Sequence, residues 1–237
     1  MLNNLRLEEL TESSIFMCFS ATASFTASFS LSVLGIATLK QTTSKKQLLL
    51  ATFPLLFATQ QFFEGLVWLN LERQSSPLYF IGIYIFLVFA TGLWLIFCPL
   101  SVYLLEDHPF RQKIILGIAV IGAILGLYLV SCVVRQKVMV TNDLGNLFYN
   151  LNLLYDFKFA FFYDIGKYLY LLVITVPFMI SSQKFLALFG IFIMLSFILA
   201  DQFYQATFIS VWCFFAAVIS SVLLFILFNW KTALSQD

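Results

Sequence analysis

Long apolar runs alternate with short polar joints along almost the whole chain. A helix needs about 20 mostly apolar residues to cross the hydrocarbon core of a bilayer, and each run approaches or exceeds that length. The pattern therefore predicts an all-α membrane protein, a bundle of about seven transmembrane helices. The expected helices are 16–39, 48–71, 78–105, 114–134, 163–180, 185–200 and 203–230.

One internal stretch, residues 135–162, interrupts the apolar pattern. It carries polar and turn-forming residues such as Asn142, Asp143 and Gly145 among aromatic ones. Such a stretch is too polar to span the hydrocarbon core. We expect a long outer loop that contains an interfacial element, either a helix or a hairpin.

The distribution of Lys and Arg predicts the orientation, because cytoplasmic joints carry an excess of both. With the N-terminus outside, the short outer joints hold only Arg73. The inner segments then hold Lys40, Lys45, Lys46, Arg111, Lys113, Lys184 and Lys231. The long outer loop, with Arg135 and Lys137, reduces this asymmetry when it is included. We expect a single transmembrane domain over 16–230, with a cytoplasmic tail over 231–237.

The first residues do not resemble a signal peptide, because Arg6 is followed by Glu8 and Glu9 rather than by an apolar core. Residues 1–15 are expected to be a dispensable extension, and Met17 is a candidate for the true start.

Composition agrees with a membrane protein, since 61% of residues are hydrophobic and 11% are charged. That balance does not suit a water-soluble surface. A net charge of +1 also disfavours a nucleic-acid partner, which would require a clustered basic face. The lipid bilayer is the expected partner, and the oligomeric state is not predicted.

Glu64 is the clearest candidate for chemistry, because a charged side chain in hydrocarbon costs about 2.5–3.5 kcal/mol on insertion scales. Counted from Leu48 at about 1.5 Å per residue, it lies roughly 24 Å along a core of about 30 Å. Gln60 and Trp68 lie one turn to either side and share its face, and Gln61 lies beside Gln60.

Other polar residues are expected at a similar height in the bundle. Asp201 and Gln205 follow the sixth predicted helix, and Ser20 and Ser24 enter from the outer side in the first. Together with Glu64 they predict an outward-facing polar pocket for a small molecule or a cation. On the alternative interpretation the Gln and Glu side chains only join helices by hydrogen bonds, and Asp201 lies in a solvated turn.

Three functions remain open, and binding or transport through the pocket is the leading one. A membrane enzyme acting on a lipid or small metabolite would use Glu64 or Asp201 as acid or base and Cys18 as nucleophile. A structural or partner-binding subunit is the third. Of these, we favour a role without catalysis.

No metal site or cofactor is predicted. The one histidine, His108, and four cysteines without CxxC spacing lack the pattern of a zinc site. Three cysteines, Cys18, Cys132 and Cys213, are expected towards the outer side, and a disulfide between two of them is an alternative that the sequence does not decide.

Three segments carry a resemblance to a known family: the run Met17–Phe25 that reads Met-Cys-Phe-Ser-Ala-Thr-Ala-Ser-Phe, residues 54–68 and residues 210–217. They resemble a family of bacterial multi-pass membrane proteins of unknown function whose members begin with that run. The resemblance implies a location in the bacterial cytoplasmic membrane and a start at Met17, and it implies no activity.

Overall fold

The computed structural model describes residues 20–152 and 160–234. The predictions on the N-terminal extension, on Met17 and on Cys18 lie outside the described residues, as do residues 235–237 of the predicted tail.

Ten α-helices form most of the described fold, and some follow each other almost without interruption. They are α1 (Ala21–Lys40), α2 (Leu48–Ala51), α3 (Phe53–Leu69), α4 (Pro77–Val88), α5 (Trp94–Leu105), α6 (Pro109–Val134), α7 (Ala160–Ile180), α8 (Lys184–Phe203), α9 (Phe208–Ser220) and α10 (Val222–Leu234). A 3₁₀ turn, Lys45–Gln47, precedes α2, and a π-helical segment, Phe89–Leu93, joins α4 to α5.

Five helical segments of the described residues are long and apolar enough to cross a membrane, which makes the fold that of a helical membrane protein. These segments are Ala21–Lys40, Pro77–Leu105, Pro109–Val134, Lys184–Phe203 and Phe208–Asn229. Gly166–Ile180 is a shorter apolar helix. The predicted helix 48–71 is divided at Thr52, two residues before Pro54, which lacks the N–H of a helix interior.

Helices α5 and α6 approach each other closely through glycine. Pro99 in α5 removes the N–H that would pair with the Leu95 carbonyl. Gly122 of α6 faces that carbonyl, and a Cβ added to Gly122 would lie 2.2 Å from Leu95 O. Small residues allow such contacts between membrane helices, so Gly122 fixes this crossing.

Residues 135–152 contain a hairpin, which resolves the helix-or-hairpin alternative of the sequence analysis. Strands β1 (Met139–Asp143) and β2 (Asn146–Asn150) pair antiparallel. The turn places Leu144 at φ 47° and Gly145 at φ 82°, and Asn142 Oδ1 accepts a hydrogen bond from the Gly145 N–H at 3.0 Å.

The hairpin is fixed to the start of α4. The Tyr79 hydroxyl donates to Val140 O at 3.2 Å and accepts from the Val140 N–H at 2.9 Å. The Phe86 and Tyr149 rings stack with centroids 5.0 Å apart. One face of the hairpin is consequently buried against the bundle through Val140, Leu147 and Tyr149.

The joint after α5 lies at the opposite end of the α4–α5 helix from the hairpin. Here the buried Glu106 carboxylate accepts hydrogen bonds from the Ser182 N–H at 2.7 Å, from the Ser182 hydroxyl, and from the His108 N–H at 3.0 Å. Burial acts to raise the pKa of Glu106, but these hydrogen bonds outweigh it and leave the pKa below its ordinary value. Glu106 thus ties the α5–α6 joint to the α7–α8 joint.

Candidate functional site

The Glu64 carboxyl lies inside the bundle on α3, with the residue only 1% exposed. The Ser210 hydroxyl of α9 donates a hydrogen bond to Glu64 Oε1 at 2.5 Å. No described Lys, Arg or His forms an ion pair with it. A buried carboxyl without an opposite charge is costly to hold in an apolar interior, so this position requires a physical reason beyond packing.

Two glutamine side chains lie one turn before Glu64, and both residues are 0% exposed. Gln60 Oε1 accepts a hydrogen bond from the Trp94 indole N–H at 2.9 Å, which fixes the orientation of the amide. Gln61 lies beside the Glu64 carboxyl, but neither amide atom of Gln61 has a hydrogen bond of normal geometry among the described residues.

Two further side chains complete the cluster from other elements. The Tyr149 hydroxyl of β2 lies close enough to Glu64 and Cys213 to interact with both electrostatically, and the Cys213 thiol neighbours Gln60. Burial, followed by the Glu64 charge, raises the pKa of Tyr149 well above its ordinary value. We call Gln60, Gln61, Glu64, Tyr149, Ser210 and Cys213 the Glu64 cluster.

The Glu64 cluster contains several buried polar atoms that have no hydrogen bond of normal geometry among the described residues. They are Gln60 Nε2, Gln61 Nε2, Gln61 Oε1 and the Tyr149 hydroxyl, and the Trp68 indole nitrogen one turn beyond Glu64 is in the same state. Most buried polar groups in proteins are paired. The described residues do not pair these atoms with normal geometry, so their remaining partners are buried water or a ligand.

An apolar cavity of about 30 Å³ adjoins the cluster. Trp94 and Cys213, which both contact Gln60, form part of its lining. Tyr170 and Trp212 line it further, and the Tyr170 hydroxyl donates to Ala90 O at 2.5 Å in the π-helical segment. The polar cluster and the aromatic cavity therefore share a wall.

The remaining predicted site residues form no hydrogen bond or ion pair with Glu64 among the described residues. Asp201 forms an ion pair with Lys167. Gln205 is exposed. Ser20 accepts a hydrogen bond from the Ala23 N–H at 3.2 Å and caps α1. Ser24 is buried, and no hydrogen bond of the described residues joins it to Glu64.

Four residues of the site were not found from the sequence: Trp94, Tyr149, Ser210 and Cys213. Ser210 and Cys213 occur in one of the segments that carry the family resemblance, which was the available signal for them. Nothing in the sequence pairs Ser210 with Glu64, 146 positions away.

The cysteines of the described residues are buried free thiols at positions 98, 132 and 213, so no disulfide joins Cys132 to Cys213. Among the described residues no group of three or more His, Cys, Asp or Glu side chains could hold a metal ion.

The long apolar helices define the class of protein, an integral membrane protein built from helices. A model of the family of unknown function DUF6629 matches residues 17–236, and the chain belongs to that family. No curated protein and no solved structure matches the chain. The family adds no activity, so function must be argued from the site.

Proposed function

We propose that the protein is a seven-span membrane protein with an enclosed site around Glu64 that binds a small molecule or an ion. The site serves either binding alone or transport. The observation that supports this proposal is the Glu64 carboxyl itself. It is buried, has no described ion-pair partner, and is surrounded by amide and hydroxyl atoms that lack partners. A site built only to join helices would pair these atoms with each other.

The proposed topology has seven crossings, which are the five long spans and two further helical segments. The α2–α3 run and α7 are both apolar and lie between helices that already cross. The Lys46–Asp107 ion pair at 2.8 Å and the Glu106–Ser182 hydrogen bonds gather three joints at one end, as seven alternating crossings require. The excess of Lys and Arg in those joints favours the cytoplasmic side for this end.

In this orientation the hairpin covers the site from the outside. Tyr149 reaches the Glu64 cluster from β2, while Tyr79 holds β1 in place. A ligand from the outer side would enter only when the hairpin moves or when a path opens beside it. We accordingly propose an enclosed site covered by the hairpin. It replaces the outward-facing pocket that was expected from the sequence.

Binding can be tested with the purified protein in detergent by titration with simple probes: Na⁺, K⁺, ammonium, acetate and acetamide. Trp94 donates to Gln60 and reports on the site, so binding should change the intrinsic tryptophan fluorescence saturably. Glu64→Gln is expected to abolish the response of the probe that binds while the melting temperature changes by about 2 °C or less, because the amide is nearly isosteric and still forms hydrogen bonds.

Two results would contradict the proposal. One is the absence of a saturable response to every probe. The other is an unchanged response in Glu64→Gln, which would leave the residue the role of joining helices. For a probe that binds, uptake into proteoliposomes by the wild type and not by Glu64→Gln supports transport; binding without uptake restricts the proposal to binding.

A further inference from the structure

We infer that the ligand of the Glu64 cluster is a small uncharged molecule, with a head that both accepts and donates hydrogen bonds and with a short apolar end. Carboxamides and alcohols of up to five heavy atoms belong to this class. The inference rests on the proposed function and specifies its ligand.

The unpaired atoms of the cluster set the chemistry of the head. The Trp94 N–H bonds Gln60 Oε1 and so fixes the orientation of the amide. Gln60 therefore offers only its Nε2 donor to a ligand. Gln61 offers one donor and one acceptor whichever way its amide is oriented. The Tyr149 hydroxyl can do either. A matching head therefore needs an acceptor oxygen for the amide N–H groups and a donor hydrogen for Gln61 Oε1 or Glu64.

Charged ligands fit this arrangement less well. A metal cation would be held by oxygens of Glu64 and Gln61, but it would leave the N–H groups of Gln60 and Gln61 unpaired. An anion would accept those N–H groups but would face the Glu64 carboxyl. In a low-dielectric interior an anion beside the Glu64 carboxyl is strongly unfavourable. A cation would be attracted by that carboxyl, but only a neutral head pairs the donors and the acceptors of the cluster together.

The adjoining cavity sets the other end of the ligand. It shares Trp94 and Cys213 with the polar cluster and is lined by apolar atoms. Its volume of about 30 Å³ accommodates a group of one or two heavy atoms. A head bound at Gln60, which contacts Trp94 and Cys213 of the cavity wall, can thus place a methyl or ethyl group between the aromatic rings.

Three probes of similar size separate the classes: propionamide, propionate and propylammonium. We expect propionamide at ten times its dissociation constant to raise the melting temperature of the wild type by about 3 °C or more, with little effect from the two charged probes.

Gln61→Leu removes the two unpaired amide atoms while keeping the volume similar. Without a probe, its melting temperature should equal or exceed that of the wild type, because an unsatisfied buried group is removed. Its response to propionamide should be lost. Ser220→Ala is the matched control: Ser220 is buried on α9, but its hydroxyl bonds Ala217 O within the same helix, ten residues from Ser210. It should keep the full response.

The outcomes separate the two claims. Stabilisation by propylammonium or propionate that depends on Glu64, with none by propionamide, overturns the neutral-ligand inference and leaves the proposed binding site standing. An equal propionamide response in Gln61→Leu also overturns the inference. If none of the three probes acts through Glu64 and the simple ions fail as well, both claims are wrong.

Discussion

Ser210 donates a hydrogen bond to Glu64 across 2.5 Å, and it is the hydrogen bond that joins α9 to the carboxyl on α3. Both residues are buried. The contact links two helices that are far apart in the chain, and it sets the Glu64 carboxyl in the middle of the cluster rather than at a helix surface.

Ser210→Ala should lower the stability by about 1–3 kcal/mol, because it leaves a buried carboxyl without its donor. The measurement is thermal melting of the purified protein, followed by tryptophan fluorescence. Ser220→Ala is the control, since it removes only a bond to a carbonyl of its own helix. Equal effects of the two substitutions would show that the Ser210–Glu64 bond has no special weight.

Gly122→Ala should destabilise the protein strongly, because the new Cβ would lie 2.2 Å from the Leu95 carbonyl and would force α5 and α6 apart. We expect a loss of about 2 kcal/mol or more, comparable to overpacking a core. Gly117→Ala, in the same helix, is the control because a Cβ there meets nothing within 4 Å. A tolerated Gly122→Ala would refute the close crossing.

Stability should depend on pH through Glu106. Its pKa is lowered in the folded state, so its contribution is present above the unfolded pKa and is lost as the pH falls through the folded value, from about pH 4 downward. Glu106→Gln should be less stable than the wild type at pH 7, and the two melting temperatures should converge at low pH. The control is Asp107→Asn at the exposed neighbouring residue, whose melting temperature should differ little from that of the wild type at any pH. A difference between Glu106→Gln and the wild type that stays constant with pH would exclude the ionised hydrogen bonds as the cause.

Leu144 occupies the left-handed region at the hairpin tip and is 85% exposed. A leucine there is strained, whereas Asn before Gly suits the same turn. Leu144→Asn should stabilise the hairpin by about 0.5–1 kcal/mol, detected as slower hydrogen exchange of the β1 and β2 amides. Leu144→Val should have the opposite effect. Faster exchange in Leu144→Asn would indicate that the Leu144 side chain itself holds the tip.

The predicted orientation of the bundle, meaning which of its ends faces outward, can be tested by labelling intact cells from outside. The exposed positions Ser44, in the joint before α2, and Thr141, on β1, lie on opposite sides in our orientation. A cysteine at Thr141 should react with an impermeant maleimide and one at Ser44 should not, while Cys98, Cys132 and Cys213 are buried and should stay silent. The reverse pattern would invert the topology.

Much of the helical fold could be predicted from the sequence, since apolar length alone identifies spans such as α6 and α8. Their bounds lie within a few residues of those expected. The divisions at Thr52 and Ser221 and the π-helical segment were missed, because all three leave the apolar pattern unchanged while altering the backbone. The hairpin could be predicted only as an alternative, because residues 135–152 are too irregular for periodicity to decide.

The candidate site was found where one residue is anomalous by itself. Glu64 stands out because it is an acid in an apolar helix, and Gln60 and Gln61 stand out beside it. Asp201 was predicted at the same height in the bundle as Glu64, but in the structure it forms an ion pair with Lys167. Tyr149 and Ser210 are unremarkable residues until packing brings them to Glu64, and such pairings depend on how the helices are arranged.

The most direct test of the binding site is an experimental structure of the protein in lipid nanodiscs, with a map that shows small ligands. We predict non-protein density within about 3 Å of the Gln61 amide and the Glu64 carboxyl, beneath Tyr149 and reaching toward Trp94. A map in which Gln61 pairs with protein atoms, and in which no density adjoins Glu64, would contradict the account and leave the cluster a structural one.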